Sequence, residues 1–89
     1  MIVAYDPKAQ ADILYWFEAD KRTLGKILSL LKETARTPYE GIGQREALKH
    51  HLTGYWSRRI SGEHRLVYAV NEATATIEVI ACRGHYTDL

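Results

Sequence analysis

Residues 55–83 read YWSRRISGEHRLVYAVNEATATIEVIACR, and this stretch decides the fold. Three runs rich in Val, Ile, Tyr and Thr, from Tyr55 to Ile60, His64 to Val70 and Thr74 to Arg83, alternate with a period of two. Ser61-Gly62 and Asn71-Glu72 separate them as turn signals. Successive hairpins of this kind predict an antiparallel sheet. Upstream the period changes to that of a helix. Asp6-Pro7 supplies a cap and a proline at the first helical position, where no amide hydrogen is needed, and Ala9, Ile13, Trp16 and Phe17 then fall on one face. A second stripe, Leu24, Ile27, Leu28, Leu31 and Ala35, follows almost at once and stops at Thr37-Pro38, because the residue before proline disfavours helical geometry. Gly41-Ile42-Gly43 reads as a loop, and Met1 to Tyr5 as a short opening strand. Helices first and strands afterwards predict an α+β fold: two N-terminal helices packed on one face of a twisted antiparallel sheet of about four strands.

Eighty-nine residues suit a single domain, 1–89, with a thin core. The composition, 46% hydrophobic and 26% charged, is globular. One cysteine, Cys82, excludes an internal disulfide framework and suits a reducing cytoplasm. The opening residues lack a signal-peptide pattern, and the longest apolar run, Ile13 to Phe17, is too short to cross a bilayer. A cytoplasmic protein without membrane contact is the expectation. One thiol and four histidines (His50, His51, His64, His85) at no recognisable ligand spacing predict neither a metal site nor a cofactor.

The net charge of +1 conceals an uneven distribution. Between Gln44 and Arg65, five basic residues (Arg45, Lys49, Arg58, Arg59, Arg65) face two acids (Glu46, Glu63), giving +3, while the remainder carries −2. A local basic segment in a near-neutral chain fits a confined anion site. Strand alternation puts Leu66, Tyr68 and Val70 on one face, expected under the helices, and Arg65, Val67 and Ala69 on the other, expected to be open. A lone strand arginine is usually a solvated charge. Arg58 and Arg59 on the neighbouring strand, Lys49 upstream, and Arg83 and His85 on the last strand make a converging phosphate site the sharper alternative. Glu46 reads either as a salt-bridge partner of its basic neighbours or as a general base. Tyr55-Trp56 reads either as a base-stacking platform or as core.

Several motifs then carry a family resemblance: Tyr15-Trp16, Asp20-Lys21-Arg22, Arg36-Thr37-Pro38, Glu40-Gly41, Leu48-Lys49-His50, Cys82-Arg83 and His85-Tyr86, together with W-S-R-R-I-x-x-E-H-R-L-V-Y over Trp56 to Tyr68. The chain closely resembles the YoeB/Txe toxins of the RelE/ParE superfamily over nearly its whole length. The resemblance implies a RelE-like fold and a toxin of a type II toxin–antitoxin system. Such a toxin is a metal-independent mRNA endoribonuclease that cuts in the ribosomal A site by 2′-hydroxyl attack and so inhibits translation. It also implies a YefM/Phd-type antitoxin as partner, contact with operator DNA only through the antitoxin complex, and leaves a homodimer open. Matched position by position, the general base falls on Glu46, the transition-state arginine on Arg65 and the general acid on His85. Lys49 and Arg59 match basic positions around the phosphate, and Tyr86 matches the terminal aromatic.

The chain departs from the family pattern at Arg45 and Ala47, where prolines are frequent, and at Gly84, where a bulkier residue is usual. Its last hairpin is about two residues longer, and Thr87-Asp88-Leu89 extend past the usual tyrosine. Two other classes compete: a non-catalytic inhibitor of the ParE branch, which poisons DNA gyrase and lacks the Glu, Arg and His set, and a protein-interaction module of the same fold.

Overall fold

The computed structural model describes residues 1–39 and 46–89, Glu46 by its backbone alone. In chain order come β1 (Ile2–Tyr5), α1 (Pro7–Ala19), α2 (Lys21–Arg36), β2 (Glu46–Ala47), β3 (Tyr55–Arg59), β4 (Arg65–Asn71) and β5 (Thr76–Ala81). Short 3₁₀ turns lie at His50–Leu52 and Tyr86–Asp88. The sheet order is β1-β5-β4-β3-β2. The antiparallel hairpins β3 to β5 follow the sequence reading, and the two-residue β2, which the sequence does not announce, adds a fifth strand at the edge. The expected opening strand pairs parallel with β5, Val3 opposite Ile77, so the sheet is mixed rather than wholly antiparallel. Parallel pairing needs a long crossover, and α1 and α2 supply it between β1 and the antiparallel strands. No described helix is long and apolar enough to cross a membrane. The loop expected at Gly41-Ile42-Gly43 lies outside the described residues.

Both helices pack on the face carrying Leu66, Tyr68, Ile77 and Val79, as alternation predicts. Their apolar stripes differ from the sequence reading. On α1 the buried positions are Ala9, Asp12 and Trp16, while Phe17 is half exposed and lies under the Lys21 ammonium, 5.0 Å from the ring centroid. A carboxylate in the middle of the stripe shifted the apparent face. Asp12 is buried because its Oδ2 accepts from the Cys82 amide (3.0 Å) and from Lys8 Nζ (2.9 Å). On α2 the buried positions are Ile27, Leu30, Leu31 and Thr34, and Leu28 is exposed. Thr34 is tolerated there because its hydroxyl donates to the Leu30 carbonyl at 2.7 Å. Asp6 stands at the α1 N-cap without a capping bond, so Pro7 alone carries that start. Asp20 closes α1 and caps α2, accepting from the amides of Arg22 and Thr23. The Thr23 hydroxyl bond, first among its contacts, holds the Asp20 carboxyl below its ordinary range. The cap is therefore intact at neutral pH and lost as pH falls through that lowered value.

Burial pushes the Cys82 thiol up to about 12, with the Asp12 carboxylate adding to it and Lys8 opposing. The thiol stays protonated and unreactive.

The opposite face is not open, contrary to the expectation. Leu48, Val67 and Ala81 form a second small core there, packed by Leu52, Tyr55, Ile80, Tyr86 and Leu89. A bulge in the β4–β5 pairing makes this possible. Tyr68 pairs with Val79 but Val67 with Ala81, leaving Ile80 as the extra residue. Alternation is reset, so Ala81 joins the second cluster and Cys82 the helix-side core.

Arg58 was grouped with the phosphate-site cations, and the structure removes it from that group. It lies on the helix-covered face with no solvent exposure. Its Nη2 donates to the Thr37 carbonyl (2.6 Å) and its Nε to the Tyr68 hydroxyl (3.2 Å), which itself donates to the Pro38 carbonyl (2.7 Å). The guanidinium thus ties the end of α2 to the sheet. Arg58→Met strands these acceptors away from water and should cost about 1–3 kcal/mol in denaturant titration. Arg59→Met, on the exposed side of the same strand, should stay within about 0.5 kcal/mol of wild type. Equal losses from the two substitutions would contradict this division.

Candidate active site

Arg59 and Arg65 are direct cross-strand partners at the turn end of the β3–β4 hairpin. Two like charges directly opposite each other on an antiparallel pair repel. Among the described residues neither makes a salt bridge, and Arg59 is exposed. Arg65 is held in place from behind: its Nη1 donates to the carbonyls of Ser61, Gly62 and His64, all in the β3–β4 turn. Anchoring one nitrogen fixes the plane of the guanidinium and leaves the rest of the fork for a ligand.

The segment after β5 brings His85 to the same end. The Arg65 amide donates to the Gly84 carbonyl at 2.9 Å, extending the ladder one step beyond the strand. The Gly84 amide donates to His64 Nδ1 at 2.8 Å, and the His64 ring sits edge-on to Trp16, 4.8 Å between centroids. His64 read as an ordinary surface residue in the sequence; it is a half-buried strut between α1 and the segment leading to His85. His85 was expected on the last strand. It lies beyond it, as the N-cap of the second 3₁₀ turn. Its Nδ1 accepts from the Thr87 amide at 3.3 Å, and its ring lies 4.1 Å from that of Tyr86. Among the described residues no hydrogen bond engages Nε2. A neutral ring that accepts at Nδ1 carries its proton on Nε2.

The remaining expected residues separate. Glu46 stands in β2 opposite Ser57, two residues before Arg59 on β3. Its carboxylate lies outside the described part of the structure, as does Arg45. Lys49 is exposed at the other end of β3, next to the Leu48 amide that donates to the Tyr55 carbonyl. From Tyr55 to Arg59 the strand runs roughly 13 Å, so Lys49 and the arginine pair stand at opposite ends of β3. Tyr86 is half-buried against the second core. Arg83 leaves the site altogether: its guanidinium stacks 3.4 Å over the Tyr15 ring on α1. Tyr55 and Trp56 pack against the second and the main core respectively, and Trp56 meets the Tyr39 ring at 5.4 Å. Both are core residues before they are a stacking platform. The contacts that Thr87 and Asp88 make to His85 were not foreseen, although His-x-x-Asp at a chain reversal has the spacing of a capping box.

The described site thus gathers two arginines and a histidine with a free ring nitrogen at one end of a sheet. Comparison with known proteins gives this constellation its context. A family model described as a YoeB-like toxin of bacterial type II toxin–antitoxin systems matches residues 5–86. Toxin YoeB of Escherichia coli K12 is 52% identical over 97% of this chain and the whole of that protein. Toxin YoeB of Synechocystis is 45% identical over 97% of the chain and 98% of its own length. Among solved structures, a YoeB/ParE toxin from Agrobacterium tumefaciens superposes with a TM-score of 0.92 at 42% identity, covering 97% of this chain and all of that one. The toxin in a heterotetrameric YoeB–YefM complex from Staphylococcus aureus superposes with a TM-score of 0.86 at 44% identity, covering 97% of this chain and 98% of that one. A YoeB dimer from Staphylococcus aureus gives 0.87 at 44% identity, with the same coverage. With residues 5–86 matched by the family model and 97% of the chain aligned at 52% identity to a YoeB toxin, the chain belongs to the YoeB family of toxins of type II toxin–antitoxin systems.

Proposed function

We propose that the chain is a metal-independent endoribonuclease that cuts mRNA in the ribosomal A site. The paired cations Arg59 and Arg65, at the same end of the sheet as His85, whose Nε2 no described residue engages, carry this reading. Glu46 takes the proton from a ribose 2′-hydroxyl, whose oxygen attacks the adjacent phosphorus. Arg65, with Arg59 across the ladder, balances the charge that builds on the pentacoordinate phosphorane. His85, protonated on both nitrogens, gives the Nε2 proton to the departing 5′-oxygen. General acid and general base each contribute on the order of 10²–10⁴ in rate, and preorganised cations supply much of the rest. Lys49, at the far end of β3, holds a flanking phosphate, and Tyr86 lies beside the acid to meet a base or sugar. The need for a 2′-hydroxyl selects RNA over DNA.

A YefM-type antitoxin is the neutralising partner on this reading, by likeness to the Staphylococcus aureus YoeB–YefM complex, and a homodimer is its self-association, by likeness to the YoeB dimer. An acidic antitoxin segment that folds on binding complements the basic face. Operator DNA is reached through that complex.

Cleavage of ribosome-bound mRNA should persist in excess EDTA once ribosome integrity is maintained, with 5′ fragments ending in a 2′,3′-cyclic or 3′-phosphate. A 3′-hydroxyl end points instead to metal-activated water and overturns the mechanism. Arg65→Ala should lower turnover roughly 10²–10³-fold with little change in ribosome affinity, because the lost charge pairs only with the transition state. His85→Gln and Glu46→Gln should lower turnover as strongly, and a better leaving group at the 5′-oxygen should rescue only His85→Gln. Lys49→Ala should raise KM more than it lowers kcat. Folded His85→Gln and Arg65→Ala proteins that cleave at wild-type rates overturn these residue roles, whereas a wild-type chain that cuts no ribosome-bound mRNA leaves the interaction module as the better reading.

A further inference from the structure

Residues 87–89 lie beyond the stretch that the family model matches, yet they make the closest contacts to the His85 ring and backbone. Asp88 Oδ2 accepts from the His85 amide at 2.9 Å. The Thr87 amide donates to His85 Nδ1, and the Thr87 hydroxyl lies 3.2 Å from the same nitrogen. Together these form a reciprocal capping box around the 3₁₀ turn Tyr86–Asp88. Leu89 anchors its far end, packed in the second core with its carbonyl 3.3 Å from His51 Nε2.

Gly84 is the counterpart of this box. Its φ of +81° is one that L side chains avoid, and a Cβ there would lie 2.9 Å from Asp88 Oδ2. The space that a side chain would fill at position 84 is occupied by the Asp88 carboxylate. The glycine before the histidine and the residues after the tyrosine are therefore one device. Each departure from the family pattern makes room for, or fills, the other.

We propose that Thr87 and Asp88 are positioning residues that hold His85 with Nε2 turned out toward the substrate. This rests on the reading of His85 as the general acid. The Thr87 amide can donate to Nδ1 only while the ring is neutral, but the Thr87 hydroxyl serves both protonation states, donating to Nδ1 when the ring is neutral and accepting from Nδ1–H when it is charged. In the transfer step the imidazolium Nε2–H bond breaks as the 5′-oxygen gains the proton and the P–O5′ bond breaks. The ring is left neutral with its proton on Nδ1, hydrogen-bonded to Thr87 Oγ1. Solvent then returns a proton to Nε2. Asp88 keeps the backbone of His85 fixed throughout, so the ring pivots only about its side-chain torsions. A general acid that samples several rotamers spends much of its time out of reach, and misplacement by about 1 Å costs up to roughly 10²-fold.

The test uses the full chain with Thr87→Ala/Asp88→Ala and, as conservative control, Thr87→Ser/Asp88→Asn, which keeps a hydroxyl and an acceptor oxygen. Two quantities are read. The first is the His85 side-chain rotamer and ring tautomer, from three-bond couplings and ring ¹⁵N shifts of the free protein, with His85→Gln identifying the signals. The second is single-turnover cleavage at saturating ribosomes. Wild type and the conservative variant should show one rotamer and equal rates. The alanine variant should show averaged rotamers and a roughly 10-fold or greater loss in turnover, bounded by His85→Gln, with ribosome affinity unchanged. A single rotamer in the alanine variant, or averaged rotamers with undiminished turnover, overturns the proposal while His85→Gln remains inactive. Wild-type cleavage by His85→Gln instead overturns the assignment of the acid itself, and with it any catalytic purpose for the box.

Discussion

Both backbone groups of one buried residue, Cys82, are satisfied by side chains of α1. Its amide donates to Asp12, and its carbonyl accepts from Trp16 Nε1 at 2.9 Å. β5 ends at Ala81, so these groups have left the regular ladder while still in the core. Burying them without partners would cost about 1–3 kcal/mol each. The same two bonds set the position of α1 over the sheet. Trp16 then packs against His64, His64 accepts from the Gly84 amide, and the Gly84 carbonyl accepts from Arg65. Helix placement, sheet end and the backbone on either side of the arginine and histidine are consecutive links in one hydrogen-bonded chain.

Adjacent arginines on β3 show how alternation divides labour. Arg58 turns to the helix side and spends its donors on backbone and tyrosine oxygens; Arg59 turns to the other face and meets Arg65. The residue type is identical, and only the parity of the position differs. A buried guanidinium with its acceptors in place is structural, whereas an exposed one set against a like charge stores repulsion that an anion relieves. The bulge at Ile80 performs a comparable service at the other edge of β4. By resetting parity it lets Ala81 floor the second core and Cys82 enter the first.

Much of this was legible in the sequence. The hairpins followed from period-two runs between Ser61-Gly62 and Asn71-Glu72, and the two helices from their stripes and the Thr37-Pro38 stop. The face shared by Leu66, Tyr68 and Val70 also followed. What escaped was whatever depends on a partner distant in sequence. Nothing near Asp12 in the sequence announces its partner, the Cys82 amide 70 positions away, and its burial turns the inner face of α1 away from Phe17. Parallel pairing of β1 with β5 leaves no local signature, and neither does a one-residue bulge. The second core was invisible for the same reason: Leu48, Val67 and Ala81 come from three segments, none apolar enough alone to announce a covered face. The site residues were named by resemblance, while the support around them, His64, Thr87 and Asp88, required coordinates.

The topology also keeps the two proton-transfer candidates mechanically separate. Glu46 belongs to a two-residue edge strand held by one neighbour, β3, whereas His85 hangs from β5 and is tied back to Arg65 and to its own 3₁₀ turn. The hairpin β3–β4 is what they share. Substitutions flanking Glu46, such as Arg45 and Ala47 in this chain, can therefore alter the setting of Glu46 without disturbing that of His85, and changes at Gly84 or after Tyr86 can alter the setting of His85 without disturbing that of Glu46. A thin core makes that separation useful, since a domain of this size has little stability to lose and tolerates local retuning better than repacking. Departures from the family pattern fall around the edge strand, in the β4–β5 turn and past the last strand, while the hairpin Trp56 to Tyr68 keeps the family's residues at every fixed position of its motif.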